Sequence, residues 1–376
     1  MKHQWNWQQS DWPHFTHSPG VIAQQEQAFL LHTAQVSGVM KHLGVQDKVE
    51  FLVQLMADEA FHTSEIEGEH LHYGSLQASI RRNFGLDAPR SAQYPREEGV
   101  AEMMFDCYQH YAQPLTHDTL WAWHVMLLSG RRDLHCIGQY RYHQEPMQVV
   151  SGYPGRIKVH FEAPPSHVMM SEMTAFIDWF NHATSTLPHS GSALLRAAIT
   201  HLYFVCIHPF EDGNGRIGRA LVEKVLAQHA QHPTLLALSK VIQANKSGYY
   251  DALERQNKHN QIDEWLIYFA EVILAAQQET ANLLEWILLK TRFFQRYQST
   301  LNARQLKVIT KLLAKGPEGF EGGLSAKNYM AIAKTSASTA TRDLTDLVNQ
   351  QILQKTGQLK AARYSMNIHL VDGQGA

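Results

Sequence analysis

Residues 208–219 read His-Pro-Phe-Glu-Asp-Gly-Asn-Gly-Arg-Ile-Gly-Arg, and together they hold the parts of a phosphate-chemistry site. His208 is the one residue of the stretch whose ordinary pKa suits proton abstraction near neutrality. Gly213 and Gly215, on either side of Asn214, free the backbone to turn sharply and to aim several N–H groups at one anion. The helix expected to follow adds its positive end. On that helix Arg216 and Arg219 stand three apart, so they share a face and can both reach a polyphosphate chain. Asp212, beside the cradle, is the hard oxygen ligand that would hold Mg²⁺ (or Mn²⁺) between phosphates. A helix end, a loop and a solvated helix face would explain each residue singly but not their combination. The string lacks the Gly-Lys-Ser/Thr of a P-loop and the Gly-x-Gly-x-x-Gly of a dinucleotide loop.

Composition narrows the setting. The 376 residues suffice for two or three domains, and a formal charge of −2 does not make the chain as a whole an electrostatic binder of nucleic acid or membrane. Three widely spaced cysteines, Cys107, Cys136 and Cys206, argue against a disulfide framework or a structural zinc and suit a reducing cytoplasm. The first residues lack the apolar core of a signal peptide, so a cytoplasmic location is expected. The most apolar stretch, Ala193 to Ile207, carries Arg196, Thr200 and His201 and falls short of the roughly 20 residues a membrane crossing needs. No membrane association is expected. The 23 histidines are scattered without metal-ligand spacing, which assigns most of them to surface or packing.

The site needs elements to position it. Trp5, Trp7 and Trp12-Pro13-His14-Phe15 make an N-terminal segment too aromatic for a disordered tail, one that should dock on something. Apolar spacing predicts helices over 21–43, 47–67, 97–111, 117–128, 168–182, 192–207, 216–230, 249–257 and 262–290, with Gly44 and Gly68 as stops for the first two. Between them, Met147–Val150 and Arg156–Phe161 are β-prone and flank the turn signal Gly152-Tyr153-Pro154-Gly155, which predicts a β-hairpin. After Thr300 come a short helix marked by Leu306, Ile309, Leu312 and Leu313, a break at 316–319, helical stretches at 325–333 and 338–349, and β-prone pieces around Ile352-Leu353 and Arg363–Met366. Three short helices and a hairpin predict a winged helix-turn-helix. Thr339, Thr341 and Arg342 on its recognition helix, with Lys360 and Arg363 on the wing, would contact DNA; dimerisation or target docking is the equal alternative.

The stretch at 208–219 resembles the signature of the Fic (filamentation induced by cAMP) family, His-x-Phe-x-(Asp/Glu)-Gly-Asn-Gly-Arg-x-x-Arg, at every specified position. The resemblance implies a mainly α fold: a Fic-type helical bundle with a β-hairpin flap, closed by the winged helix. Residues 1–95 would hold the aromatic segment and an inhibitory helix, 96–295 the catalytic core and 300–370 the winged helix. It implies transfer of AMP from ATP to Ser, Thr or Tyr hydroxyls of target proteins and of the chain itself, with His208 as general base. Gly213, Asn214, Gly215, Arg216 and Arg219 would hold phosphates and Asp212 the metal. Val149, Val150, Ser151 and Gly152 on the flap, with Tyr249 and Asn257, would contact the rest of the nucleotide. The flap's open strand edge would present the target.

Thr63-Ser64-Glu65-Ile66-Glu67-Gly68 fits the family's inhibitory pattern (Ser/Thr)-x-x-x-Glu-(Gly/Asn). Thr63 and Glu67 would share a face, and Glu67 would occupy Arg219, the guanidinium meant for the γ-phosphate. Glu67 could also orient water to strip AMP from a modified target. Two rivals stand: transfer of another phosphate-linked group such as UMP or phosphocholine, and a DNA-binding regulator whose core senses nucleotide. A homodimer is compatible with either.

Overall fold

The computed structural model describes residues 5–88, 94–153, 155–186, 192–314, 316, 320 and 322–367. Among these are fourteen helices, twelve of them at the predicted stretches, and the two β-prone pairs become two hairpins. In chain order come α1 (Ala23–His42), α2 (Val45–Ile66), α3 (Tyr73–Asn83), α4 (Pro95–Gln109) and α5 (His117–Leu127). The first hairpin follows, β1 (Gln148–Tyr153) and β2 (Arg156–Glu162), antiparallel with Ser151 opposite Lys158 and an irregularity between Val149 and Val150. Then come α6 (Met169–Thr186), α7 (Ala193–Ile207), α8 (Asn214–Ala230), α9 (Leu238–Ala244), α10 (Lys246–Gln256) and α11 (Asp263–Tyr297). The chain closes with α12 (Ala303–Leu313), α13 (Ala326–Ala333), α14 (Ala337–Asn349) and a hairpin of β3 (Leu353–Thr356) and β4 (Arg363–Met366).

Two helices were not legible. The stretch that forms α3 contains Gly74 and several polar residues, yet His72 caps it by accepting from the Ser75 amide and its apolar side is buried. α9 is only seven residues long, too short to show a period. The helix expected to stop at 290 continues to Tyr297. The predicted turn residue Pro154 and the break at 317–319 lie outside the described residues.

The described residues divide into two compact units, one within 1–42 and 48–281, the other within 43–47 and 282–376. In the first, α7 and α8 form the central pair: Leu194, Ala198, Leu202, Phe204 and Ile207 on α7 and Ile217, Leu221 and Val225 on α8 are fully buried. The aromatic N-terminal segment docks here. Trp12 and Phe15 meet the edge of Tyr203 on α7, Trp5 meets Phe161 on β2, and the Trp7 indole donates to the Glu162 carbonyl at 2.6 Å. The Asn6 amide donates to the Asn257 carbonyl at 2.9 Å.

In the second unit the amphipathic helices α12 and α14 bury Val308, Ile309, Leu312, Leu344 and Leu347 around Tyr329 of α13. Each helix is capped by the residue its sequence offers: Asn302 for α12, Ser325 for α13 and Ser336 for α14. Leu324 bonds both ways with Tyr364, tying the start of α13 to the hairpin. Among the described residues no helix is long and apolar enough to cross a membrane.

Candidate active site

His208 ends α7 in the left-handed region, φ 52°, a conformation unusual for a residue with a side chain. Arg141 clamps this bend. Fully buried, it donates from Nε to the His208 carbonyl at 2.8 Å and from Nη2 to the Pro164 carbonyl at 2.5 Å, while its amide donates to the Pro209 carbonyl. Below the bend Phe210 is fully buried and stacks on His124, ring centroids 4.1 Å apart. Truncating a ring so placed costs roughly 3–5 kcal/mol. The loop is closed by Asn214, whose side chain accepts from the Phe210 amide at 2.9 Å and donates to the Phe210 carbonyl at 2.8 Å. Asn214 is thus spent on the loop itself, and only backbone amides are left for an anion.

The two glycines do different things. Gly213 makes the turn (φ 86°) and, as N-cap of α8, leaves the helix start without a side-chain cap. Gly215 sits in the first turn of α8 and gives room: a Cβ there would lie 2.1 Å from Glu67 Oε1. Glu67 therefore rests where the helix N-terminus would receive an anion. The two arginines diverge. Arg219 Nη2 donates to Glu67 Oε1 at 2.7 Å and its Nε to Thr63 Oγ1 at 2.8 Å. Arg216 donates to Glu69 at 2.6 Å and to Asp212 at 3.1 Å. Gly68 (φ 81°) reverses the chain just after α2, so the acids on either side of it reach different arginines. Arg131 completes the cluster by donating to Asp212 Oδ2 at 2.9 Å.

Charge follows from these contacts. Burial works against ionising Asp212, but Arg216, the Gly213 amide and Arg131 outweigh it and hold the carboxyl below its usual range. His208 is half-exposed to the cleft yet ringed by protein, and desolvation lowers its pKa to about 4. It is neutral at physiological pH. Its Nδ1 lies 3.2 Å from the Val205 carbonyl, an acceptor only, which assigns the hydrogen to Nδ1 and the basic lone pair to Nε2.

A cleft of about 710 Å³ opens beside this loop. It brings together Glu67, Val149, Val150, Ser151, His208, Gly215, Tyr249 and Asn257. Asp212, Gly213, Asn214, Arg216, Arg219, Thr63 and Gly152 are not part of its lining. Tyr249 turns its hydroxyl to His201 Nε2 at 2.7 Å, and Asn257 donates to the His160 carbonyl at 3.1 Å. Thr339, Thr341 and Arg342 all lie on α14 of the second unit, Thr341 and Arg342 exposed and Thr339 half-buried. The side chain of Lys360 is outside the described residues. Sequence reading missed Glu69, Arg131, Arg141 and His160. Only Glu69 carried a local signal, as a second acid across a glycine from Glu67.

Residues 114–226 match the Fic/DOC family and residues 5–86 match a domain of unknown function, DUF4172. The protein adenylyltransferase fic-1 of Caenorhabditis elegans is 25% identical over 202 residues, covering 52% of this chain and 36% of that protein. The protein adenylyltransferase Fic of Nematostella vectensis is 27% identical over 214 residues, 56% of this chain and 45% of that protein. The alignments thus span less than half the length of these relatives. A Fic family protein from Desulfovibrio desulfuricans superposes with a TM-score of 0.54 at 19% identity, covering 97% of this chain and 99% of that one. A Fic-domain protein from Bacteroides thetaiotaomicron gives a TM-score of 0.53 at 18% identity, covering 69% and 95%. The signature loop, the hairpin, α7 and most of α8 all fall inside the segment that matches the Fic/DOC family.

Proposed function

We propose that this chain transfers AMP from ATP to hydroxyl groups of proteins, and that Glu67 restrains it. The observation that carries the reading is a neutral His208 facing the same cleft as the uncapped start of α8 and the β1 edge. The names of the adenylyltransferase relatives support the reaction. His208 Nε2 would take the proton of the incoming hydroxyl as its oxygen attacks the α-phosphorus, and pyrophosphate would leave. The free amides of the loop, with Arg216 and Arg219, would stabilise charge on the phosphates. Deprotonation by a positioned base contributes roughly 10²–10⁴ in rate.

The donor set fits Mg²⁺, which is commonly held by one or two carboxylates together with substrate phosphates. Asp212 is ionised, and its charge is now balanced by Arg131 and Arg216. It would hold the metal, whose role would be to neutralise phosphate charge.

Glu67 occupies Arg219 and the space over Gly215, so a γ-phosphate and this carboxylate compete for one place. The same carboxylate could orient water against an AMP-protein bond and run the site in reverse. On the second unit, the exposed Thr341 and Arg342 on α14, whose Leu344 and Leu347 are buried, favour a winged-helix surface that meets DNA; a footprint lost in Arg342→Ala would support it.

Incubating wild type and Glu67→Gly with labelled ATP and Mg²⁺ in a cell extract tests the proposal. Losing a charged hydrogen bond of roughly 1.5–3 kcal/mol should raise labelling roughly ten- to a hundredfold. Equal labelling removes the inhibitory role. A mass shift other than that of AMP removes ATP as the nucleotidyl donor.

A further inference from the structure

Ser151, His160 and Glu254 form a hydrogen-bonded chain on the wall of the cleft, to which the proton transfer at His208 gives no role. Ser151 Oγ is 2.6 Å from His160 Nε2, and His160 Nδ1 is 2.5 Å from Glu254 Oε2. Because a carboxylate only accepts, the His160 hydrogen sits on Nδ1, and Nε2 is left to accept from the Ser151 hydroxyl. Lys158 Nζ lies 2.8 Å from Glu254 Oε1, and its hydrogen bond, followed by that from His160, keeps the carboxyl below its usual range. Nucleophile, base and orienting acid thus stand in hydrogen-bond sequence, the arrangement that activates a serine in hydrolases of unrelated fold.

The three residues come from three elements. Ser151 is on β1 and His160 on β2, on the diagonal of the hairpin, since Ser151 pairs with Lys158. Glu254 comes from α10. A purely structural clasp between hairpin and helix would need only the His160–Glu254 and Lys158–Glu254 pairs. The exposed serine adds nothing to that clasp, yet it completes the relay on the wall that also contains His208 and Gly215.

We infer that Ser151 is a built-in acceptor of the nucleotidyl group, with His160 as the base that deprotonates it. This rests on the AMP-transfer reading. Ser151 Oγ would attack the α-phosphorus of ATP, forming the new phosphorus–oxygen bond as the bond to the bridging oxygen breaks and pyrophosphate departs. The serine proton goes to His160 Nε2, and Glu254 balances the imidazolium. The product carries AMP on β1 and loses the Ser151–His160 hydrogen bond. A nucleotide fixed to that strand would obstruct both the cleft and the edge that receives a target, so the modification would shut the chain down after one turnover.

The test uses the full chain as Glu67→Gly, incubated with ATP and Mg²⁺ in a cell extract, with modified peptides mapped by mass spectrometry. AMP is expected on Ser151, and Ser151→Thr, which keeps a hydroxyl, should retain it. Adding His160→Gln should lower the ratio of label on residue 151 to label on extract proteins in the same tube by roughly tenfold or more. If His160 only holds the hairpin in place, both labels fall together and the ratio is unmoved, which overturns the inference. Labelled extract proteins with residue 151 bare overturn it too, while leaving the transfer reading intact. No nucleotide on any protein overturns both.

Discussion

Two buried ionic clusters, one in each unit, are built on opposite plans. In the second unit Asp343 is saturated: Arg304 donates to it twice, at 2.7 and 3.0 Å, Asn302 at 3.2 Å and the Tyr329 hydroxyl at 3.0 Å. Among the described residues of that unit no buried side-chain nitrogen or oxygen lacks a partner. In the first unit Arg216 Nε and Arg219 Nη1 are buried without one. An unsatisfied buried polar atom costs about 1–3 kcal/mol, so the unpaired guanidinium nitrogens cost this cluster stability that the saturated one keeps. The saturated cluster is complete within the fold; the open one keeps N–H donors that an oxygen-rich ligand would satisfy under the proposed function.

That contrast can be broken experimentally. The largest effect should come from His208→Ala, which removes the base and should cut labelling of extract proteins by roughly 10²–10⁴ while leaving the melting of the second unit unchanged. A variant that labels as fast as its parent would detach the open cluster from catalysis. Next, ATP with Mg²⁺ should stabilise the first unit of Glu67→Gly by about 2.7 kcal/mol at a hundredfold excess over Kd, and the second unit not at all. Calorimetry that shows both transitions moving, or neither, would erase the distinction between a ligand-ready and a finished cluster.

Tyr329→Phe probes the other side. It removes one hydrogen bond to a charged group from the saturated cluster and should cost the second unit roughly 1.5–3 kcal/mol, read as a lowered denaturant midpoint. A neutral result would mean that the saturation of Asp343 is incidental. The smallest effect concerns pH. With its pKa lowered to about 4 by burial, His208 already has its lone pair at pH 6, so kcat/KM of Glu67→Gly should stay level between pH 8 and 6. It should fall only as pH drops toward that value, because protonation removes the base. An acid limb centred near the ordinary histidine pKa, about 6.5, would show that the ring is solvated in the working enzyme.

Much of the fold was legible because helical periodicity is local. α2, α5, α7, α8 and α14 were all anticipated as helices from local patterning, and Gly68 marked the end of α2. α3 was hidden because a glycine and polar residues interrupt its apolar stripe, and its cap is a histidine side chain rather than a usual capping residue. The chemistry of the site was legible where it is contiguous. Residues 208–219 carry base, turn and guanidinium groups within one loop and one helix, so spacing alone placed them together.

Their partners were another matter. Glu69 lies 147 residues from Arg216 and Arg131 lies 81 from Asp212, separations across which no periodicity carries information. The sequence also suggested that Arg216 and Arg219 would act side by side, whereas each is drawn to a different acid across Gly68. Asn214 looked like part of an anion cradle and instead closes the loop on Phe210.

By itself, then, the order of residues determined which groups could do phosphate chemistry, that they follow a buried helix, and that a hairpin and an acid-bearing helix precede them. Those properties depend on neighbours within a few turns. Only the tertiary structure decided that Glu67 fills the space over Gly215, that Arg141 clamps the His208 bend, and that Ser151, His160 and Glu254 meet. Such contacts join segments far apart in the chain, and it is the packing of the core that brings them within hydrogen-bonding reach.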